Sequence, residues 1–344
     1  MGPSDRPSWL KSLQRSPDRV PDSATRPIPL LFDAEHRPIT TQEGWRLRRA
    51  ELRAAWEKYL GTIPGPRPDN RMTILEEDRP EGAIRQLIRY ETERGLPVEG
   101  YLLRPDVPGR GRPGAVVLHS TVEWTIRQPA GLEGPADLHI GLQLARRGYV
   151  AICPRCFLWQ YRRGARLETA VDWLRARHPG VTGMAKMLYD ATRAVDLLAS
   201  MEDVDSRRIG AVGHSLGAKE VLYLAAFDER IRAAVSSEGG IGLSYSNWDA
   251  PWYLGASIRR PEFALDHGQV LALAAPRAFL LIGGDSADGD RSWPYIAEAM
   301  PVWKLRGAAD AVGLMNHRRG HAYPPEARSV AEAWLEAFLK PVVR

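Results

Sequence analysis

A serine flanked by glycines is the pattern in this chain with the clearest chemical meaning. Gly213-His214-Ser215-Leu216-Gly217 lies between an apolar run, "RIGAV", and a helix-like run, "AKEVLYLAAF". A strand that turns sharply into a helix needs small residues around the turn, and such a turn lifts the serine hydroxyl out of the sheet. The helix amides then favour negative charge on a reacting carbonyl. We therefore predict that Ser215 is a nucleophile, and that His214, on the same tight turn, points away from it.

A serine hydroxyl needs a positioned base to remove its proton, and in this kind of site the base comes last in the chain. Two histidines, His317 and His321, follow the last apolar run. His321 stands after Gly320 in a loop before the final helical segment, where its ring can reach over the sheet edge. His317 is closer to the strand and can have a structural role. We favour His321 as the base.

Two backbone amides must stabilise the oxyanion that forms when a serine attacks a carbonyl. One is the amide after the nucleophile, Leu216, and the other belongs to the loop after an earlier strand. The run "VVLHSTVEW" supplies that loop, and we assign the second amide to Thr121.

Several aromatic residues lie in loops predicted near the strand ends. An aromatic-lined pocket suits a sugar ring or an aryl acyl group, although tryptophan is more often a packing residue than a ligand contact. His267 either faces the site or caps the helix that follows it. The candidate substrate contacts are Trp124, Trp248, Trp252, Trp293 and His267.

The elements that must position these residues alternate along the chain. Short apolar runs, separated for the most part by helix-like segments, predict a mostly parallel sheet with helices on both faces. They occupy residues 114–120, 148–154, 208–215, 231–239, 277–284 and 311–317. Three earlier β-rich runs, at 71–77, 84–92 and 98–105, predict an antiparallel start to the same sheet. Ligands bind beyond the carboxyl ends of parallel strands, where the candidate residues lie.

The first 70 residues differ from the rest. Residues 1–38 are rich in Pro, Ser, Asp and Arg and predict an arm that wraps the domain or stays mobile. The segment after Thr40 has Glu43 at capping-box spacing and apolar residues at helical spacing. We predict that residues 1–70 form an arm and an amphipathic helix packed on a catalytic domain of residues 71–344.

Composition excludes several classes of function. The chain has 344 residues, 44% of them hydrophobic and 26% charged, and a net charge of +5 carried by dispersed arginines rather than a basic stripe. Nucleic-acid binding is therefore not expected. The longest apolar stretch, 270–284, is interrupted by Pro276 and Arg277, so no membrane span is expected. Without a visible signal segment we predict a cytoplasmic location, or a secreted one if a signal was removed ahead of the given sequence.

The only cysteines, Cys153 and Cys156, have the C-x-x-C spacing of redox or zinc sites. A structural zinc site needs about four ligands, and a thioredoxin-like motif needs a helix that starts at the first cysteine. Neither condition is met, so we predict buried, reduced cysteines at a strand end.

Several longer stretches resemble the α/β-hydrolase superfamily, in its dienelactone-hydrolase-like and acetyl-xylan-esterase-like branch. They include "LARRGYVAICPRCF", "RIGAVGHSLGAKEVLYLAAFDERIRAAVSSEGGIG" and "GHAYPPEA". The resemblance implies an α/β-hydrolase fold and hydrolysis of carboxylic esters through an acyl-enzyme, with no metal or organic cofactor. It carries over Ser215, His321 and an acid near the strand that ends at Gly284. Dienelactone hydrolase itself uses a cysteine, so Ser215 favours the serine esterases of this branch.

The acid is the open choice. Many relatives place it about three residues after the strand-ending glycine, where "GGDSADGD" has Ala287 beside Asp288. We favour Asp288, which would hold the tautomer of His321 and stabilise its imidazolium form. Asp285 and Asp290 are weaker candidates, and the spacing of the three fits a calcium loop badly. The main rival is Glu238, which ends the preceding strand, where glucuronoyl esterases place their acid.

The sequence thus predicts a Ser-His-Asp esterase acting on a small-molecule ester, with acetylated sugars or aryl esters as substrate classes. An acyltransferase or lactonase on the same residues, and a binding protein with silent catalytic residues, remain alternatives. The oligomeric state is left open.

Overall fold

Apolar strands form the centre of the molecule. The computed structural model describes residues 7–161 and 166–340, and in them nine strands form one sheet in the order β1-β2-β3-β5-β4-β6-β7-β8-β9. The strands are β1 (Met72–Asp78), β2 (Ala83–Glu93), β3 (Leu96–Pro105), β4 (Arg112–Leu118), β5 (Val150–Pro154), β6 (Val204–His214), β7 (Ile231–Ser237), β8 (Ala278–Gly283) and β9 (Val312–Asn316).

Strand direction divides this sheet into two parts. β1, β2 and β3 pair antiparallel, and β3 joins β5 antiparallel. From β5 through β4, β6, β7 and β8 to β9 all neighbours are parallel. The predicted fold class is therefore confirmed. The order turns around at β4, because β5 lies on one side of it and β6 on the other, and ligands of such sheets bind at this switch point.

Helices cover the sheet on both faces, as buried strands of this kind require. They are α1 (Gln42–Leu60), α2 (Ile140–Arg146), α3 (Phe157–Gln160), α4 (Glu168–Arg177), α5 (Gly183–Ser200), α6 (Leu216–Phe227), α7 (His267–Leu273), α8 (Trp293–Leu305) and α9 (Pro325–Leu339). α6 follows β6 directly and is buried along almost its whole length, so Ser215 stands between two fixed elements.

α1 shows how the segment before the sheet joins the core. Its residues at helical spacing, among them Trp45 and Trp56, are buried as the pattern predicts. The N-cap is Thr41, whose side chain accepts a hydrogen bond from the Gly44 amide, so the predicted cap at Thr40 was one residue early. The division of the chain at residue 70 stays a prediction.

The N-terminal arm packs against the sheet edge. Ser8–Gln14 forms a 3-10 helix with Leu10 and Leu13 buried. The Gln14 side chain donates a hydrogen bond to the Val312 carbonyl of β9 at 2.8 Å. Of the two predicted states of the arm, the wrapped one therefore describes the residues from Pro7 onward.

Both cysteines are buried and free, as predicted, and burial raises the pKa of each thiol. Cys153 lies on β5 and Cys156 follows it. Within residues 7–161 and 166–340, no helix combines the length and apolar character needed to cross a bilayer. The cytoplasmic location stays a prediction.

Candidate active site

Ser215 sits on the sharp turn that the sequence predicts. Its backbone adopts φ 59° and ψ −117°, which places it in the left-handed half of conformational space, and its N–H donates to the Ser237 carbonyl at 2.9 Å. A Cβ at Gly217 would overlap the Leu118 carbonyl of β4, and one at Gly213 would overlap the Gly217 backbone. Only glycine therefore fits on either side of this serine.

His321 meets the serine directly. Its Nε2 lies 2.9 Å from Ser215 Oγ. The ring comes from the loop between β9 and α9, and the Gly320 N–H ties that loop to the Gly284 carbonyl at 2.7 Å. The His321 side chain is 44% exposed, so the pair of reacting groups opens to solvent.

The carboxylate next to His321 is Glu238. Its Oε2 lies 3.1 Å from His321 Nδ1. Glu238 directly follows β7 and, like Ser215, has a positive φ, 55°. The structure therefore contradicts the prediction that Asp288 contacts the imidazole and places the rival candidate there.

Asp288 is buried and engaged elsewhere. Its carboxylate accepts hydrogen bonds from the Gly240 N–H at 2.6 Å, the Ile241 N–H at 2.8 Å and the Ser292 hydroxyl at 2.8 Å. Burial raises the pKa of Asp288 above its ordinary value, although these donors act to lower it. None of these three donors belongs to the imidazole of His321.

The other two candidate acids also have separate partners. Asp285 accepts a hydrogen bond from the Asn316 side chain at 2.6 Å, and Asp290 pairs with Arg318 at 2.9 Å. His317, the alternative base, accepts the Arg319 N–H on Nδ1 at 3.1 Å. Among the described residues, no group of three or more histidines, cysteines or carboxylates is arranged to hold a metal ion.

The electrostatics of Glu238 favour its charged form. Burial acts to raise the pKa of Glu238, but hydrogen bonds from His321 and from the Ala287, Gly284 and Asp288 amides outweigh it, so the pKa lies below its usual range. An ionised Glu238 accepts a hydrogen bond from the Nδ1–H of His321, which leaves the unprotonated Nε2 as the acceptor facing Ser215.

The two amides predicted for the oxyanion lie at neighbouring strand ends. β4 and β6 are paired, with Leu118 opposite Gly213, so the loop that carries Thr121 runs beside the serine turn. The Ser120 hydroxyl donates to the His214 carbonyl at 3.3 Å and links the two segments. Leu216 begins α6, and the first amides of a helix have no acceptor within it.

With this geometry in place, the chain can be compared with known proteins. Residues 98–251 match the model of the dienelactone hydrolase family. The YtaP protein of Bacillus subtilis (strain 168) is 26% identical over 85% of this chain and 100% of its own length. A glucuronoyl esterase from Solibacter usitatus superimposes with a TM-score of 0.74 at 19% identity, covering 93% of this chain and 98% of that one. The chain therefore has the fold of the α/β-hydrolase esterases, and its central part resembles the dienelactone hydrolase family.

A further relative of this chain is the 4-O-methyl-glucuronoyl methylesterase of Cerrena unicolor, 22% identical over 92% of this chain and 70% of that protein. The resemblance to the dienelactone-hydrolase-like and acetyl-xylan-esterase-like branch is confirmed. The family match covers Ser215 and Glu238 and ends before His321, so the third residue of the site rests on the structure.

Two of the predicted substrate contacts lie in the interior of the protein. Trp248 is fully buried and donates its indole N–H to the Gly240 carbonyl at 2.6 Å. His267 is also fully buried, between the Tyr223 hydroxyl at 2.8 Å and the Ile241 carbonyl at 2.7 Å. Burial lowers the pKa of His267 to about 3, so the ring is neutral. Neither residue can touch a substrate, and the prediction was wrong for both.

The other tryptophans differ in exposure. Trp124, in the loop after β4, is 37% exposed and lies three residues beyond Thr121. Trp293, the first residue of α8, is only 9% exposed, and Trp252 is half-buried. Trp124 is therefore the predicted aromatic contact with the most surface available to a ligand.

Lys219, which lies one helical turn after Ser215, was not predicted from the sequence as a residue of this region. Its amine is buried, donates to the Ser246 hydroxyl at 2.7 Å and sits 4.0 Å from the Trp248 ring centre. Burial lowers the pKa of Lys219 to about 7. The i to i+4 spacing from the nucleophile could have identified it, since such residues share a helix face.

His214, next to the nucleophile, is buried and its ring centre lies 4.9 Å from that of His321. Burial lowers the pKa of His214 to about 3. Its Nδ1 lies 3.2 Å from the Ser237 hydroxyl and not against Ser215 Oγ, so its predicted orientation agrees with the structure.

A cavity of about 620 Å³ lies near the opposite end of α6, lined by residues that include Arg53, Tyr189, Phe227 and Arg230. α6 has 12 residues and rises about 1.5 Å per residue, which separates this cavity from Ser215 by about the helix length. Its arginines are paired with carboxylates, for example Arg230 with Asp228 at 2.7 Å. The cavity is therefore not part of the Ser215 site.

Proposed function

We propose that the chain is a serine hydrolase of carboxylic esters that uses Ser215, His321 and Glu238. The observation that carries the proposal is the unbroken series of contacts from Glu238 Oε2 through His321 to Ser215 Oγ, at 3.1 and 2.9 Å. A nucleophile, a base and an orienting acid in this arrangement are the parts that acyl transfer through a serine requires.

Each group has a role in the reaction. Ser215 Oγ attacks the ester carbonyl carbon while His321 Nε2 takes its proton, and Glu238 stabilises the resulting imidazolium. The Leu216 and Thr121 amides hold the oxyanion of the tetrahedral intermediate. Its collapse breaks the bond to the alcohol, which leaves with the proton of His321, and the acyl group stays on Ser215.

Water completes the cycle. His321 takes a proton from the water as its oxygen attacks the acyl carbon, and a second tetrahedral intermediate forms. The bond to Ser215 Oγ then breaks, the carboxylic acid leaves, and His321 returns its proton to the serine. No group beyond water and the ester is consumed.

The substrate class that we propose is esters of sugars, with methyl esters of uronic acids ahead of acetylated sugars and aryl esters. Two relatives described above are a glucuronoyl esterase and a 4-O-methyl-glucuronoyl methylesterase. The acid after β7 agrees with the position expected of glucuronoyl esterases, and the open His321 and exposed Trp124 leave room for a sugar ring. Trp124 is the proposed stacking residue.

The test compares the wild-type protein with Ser215→Ala on p-nitrophenyl acetate and then on methyl uronates, acetylated sugars, aryl esters and lactones. We expect Ser215→Ala to lose at least about a thousandfold in kcat. The exposed Ser286→Ala is the matched control and should keep wild-type turnover. Retention of wild-type turnover by Ser215→Ala would refute the proposal.

Three other functions would give different results. A lactonase would hydrolyse lactones faster than open-chain esters. An acyltransferase would form a new ester when an alcohol is added to the assay. A binding protein with silent catalytic residues would neither turn over substrates nor react with a fluorophosphonate at Ser215.

A further inference from the structure

We infer that Asp288 is a positioning residue that holds Glu238 against His321, through a reciprocal exchange of hydrogen bonds between two strand-end loops. Loop A is residues 238–241, after β7, and loop B is residues 284–290, after β8. This role rests on the proposed function, since it concerns the same site.

The exchange runs in both directions. The Glu238 carboxylate of loop A accepts the N–H groups of Gly284, Ala287 and Asp288 in loop B, the Ala287 bond at 2.7 Å and the Asp288 bond at 3.2 Å. The Asp288 carboxylate of loop B accepts the N–H groups of Gly240 and Ile241 in loop A at 2.6 and 2.8 Å. Each loop therefore fixes the carboxylate of the other.

Loop A needs such support because its backbone is strained. Glu238 has φ 55°, and a left-handed conformation costs a residue other than glycine or asparagine free energy unless its surroundings enforce it. Gly240 follows with φ 75°. The two amides that Asp288 holds come directly after this turn, so they fix where the chain goes once it has passed Glu238.

The position of Asp288 leaves it no direct part in the reaction. Its third donor is the Ser292 hydroxyl at 2.8 Å, and all its hydrogen-bonding partners lie in loop A or at the start of α8. The side chain is fully buried, so a substrate cannot reach it. Its effect on His321 must pass through Glu238.

Asn in place of Asp288 tests the inference. It keeps the shape but turns one acceptor oxygen into an N–H₂ donor that faces a backbone N–H. One amide of loop A then loses its acceptor inside the protein, which is costly for a buried group. Loop A is expected to shift, and the contact between Glu238 and His321 lengthens.

The experiment measures kcat and KM for p-nitrophenyl acetate, and by proton NMR the downfield resonance of the His321 Nδ1 proton in its hydrogen bond with Glu238. The variants are Asp288→Asn, Glu238→Gln and the double variant. Asp172→Asn is the control, because its carboxylate is 74% exposed and lies on α4.

We expect Asp288→Asn to lower kcat about 10- to 100-fold with KM nearly unchanged, and to move or broaden the Nδ1 proton resonance. Glu238→Gln should abolish that resonance. Adding Asp288→Asn to Glu238→Gln should cost less than about threefold more, because both changes remove the same contact. Asp172→Asn should match the wild-type protein in both measurements.

Two results would overturn the inference. A lower melting temperature with unchanged kcat and an unchanged proton resonance would leave Asp288 a purely structural residue. A full additional loss of kcat in the double variant would mean that Asp288 acts independently of Glu238. If Asp288→Asn does not fold, Ser292→Ala decides, because it removes one donor from the same carboxylate. A shifted resonance then supports the inference, and an unchanged one refutes it.

The proton resonance also separates this inference from the proposed function. If the wild-type protein hydrolyses no ester and Ser215 does not react with a fluorophosphonate, the proposed function fails. The response of the His321 resonance to Asp288→Asn still decides whether Asp288 positions Glu238.

Discussion

Glu238 and His321 approach within 3.1 Å although their positions in the chain are 83 residues apart. The pairing is possible because β7 and β8 are adjacent parallel strands, so that an acid at the end of either one lies near the same imidazole. In this chain Glu238, after β7, makes the contact, and Asp288, after β8, holds the loop that carries Glu238.

The first prediction concerns this contact. Glu238→Gln should lower kcat about 100- to 10,000-fold, because the amide neither fixes the Nδ1 tautomer nor stabilises the imidazolium that forms as Ser215 attacks. Steady-state kinetics on p-nitrophenyl acetate measure the loss. The exposed Glu262→Gln is the matched control and should stay within about threefold of wild type. An equal loss in both variants would argue against Glu238 as the acid.

The second prediction concerns stability in acid. The folded-state pKa of His267, about 3, lies below its unfolded value of about 6.5. The unfolded chain therefore binds more protons between these two values, and stability falls as the pH falls below about 6.5. Between pH 7 and 4.5 the free energy of unfolding of His267→Gln should fall by about 2 kcal/mol less than that of the wild type. Urea unfolding at each pH measures this difference.

The exposed His36→Gln is the control for that series and should follow the wild-type slope. His267→Gln starts from a lower stability at pH 7 because its contacts with Tyr223 and Ile241 change, so the comparison is between slopes. Parallel slopes for His267→Gln and the wild type would contradict a neutral, buried His267.

The third prediction concerns the serine turn. Gly217→Ala should destabilise the fold by at least about 2 kcal/mol, because the added methyl group meets the Leu118 carbonyl and forces β4 and α6 apart. Gly44→Ala, at the start of α1, is the matched control. The added methyl group lies 3.2 Å from two side chains, but alanine has a higher helix propensity than glycine. The two effects oppose each other, so the free energy of unfolding should change by less than about 1 kcal/mol. Thermal unfolding measures the stability of both variants. Equal losses of stability would contradict the close approach of Gly217 to the Leu118 carbonyl.

The fourth prediction separates a ligand contact from a core residue. Trp124→Ala should raise KM for a sugar ester about fivefold, with kcat and melting temperature nearly unchanged, because the exposed indole contributes uniform binding only. Trp248→Ala should instead cost about 3 to 5 kcal/mol of stability, because it empties a buried site. Kinetics and calorimetry on both variants provide the test. An unchanged KM for Trp124→Ala would remove Trp124 from the site.

The sequence predicted the architecture and the pairing of Ser215 with His321 because the signals for both are local. The glycines around Ser215 indicate a turn that no larger residue can make. The apolar runs indicate strands that are buried on both faces. His321 could be chosen over His317 because it stands in a loop with freedom to reach the site. These features depend on a few consecutive residues.

The acid could not be chosen in the same way. Asp288 and Glu238 both follow buried strands, and the choice depends on which of two neighbouring loops points its carboxylate at His321. That direction is set by hydrogen bonds between residues about 50 positions apart. Burial of Trp248 and His267 was hidden for a similar reason, since the segment after β7 folds back over α6 and α7 and encloses both side chains.

The arm at the start of the chain has a consequence for association with other molecules. A sheet edge offers unpaired backbone groups to a passing strand, and proteins guard such edges against aggregation. At the β9 edge the 3-10 helix Ser8–Gln14 lies where another strand could pair, and the Gln14 side chain donates a hydrogen bond to the Val312 carbonyl. At the other edge β1 ends in the exposed, charged residues Glu76-Glu77-Asp78, and charged side chains on an edge strand disfavour pairing with another chain. The two borders of one sheet are thus protected by different means, one by its own chain and the other by charge.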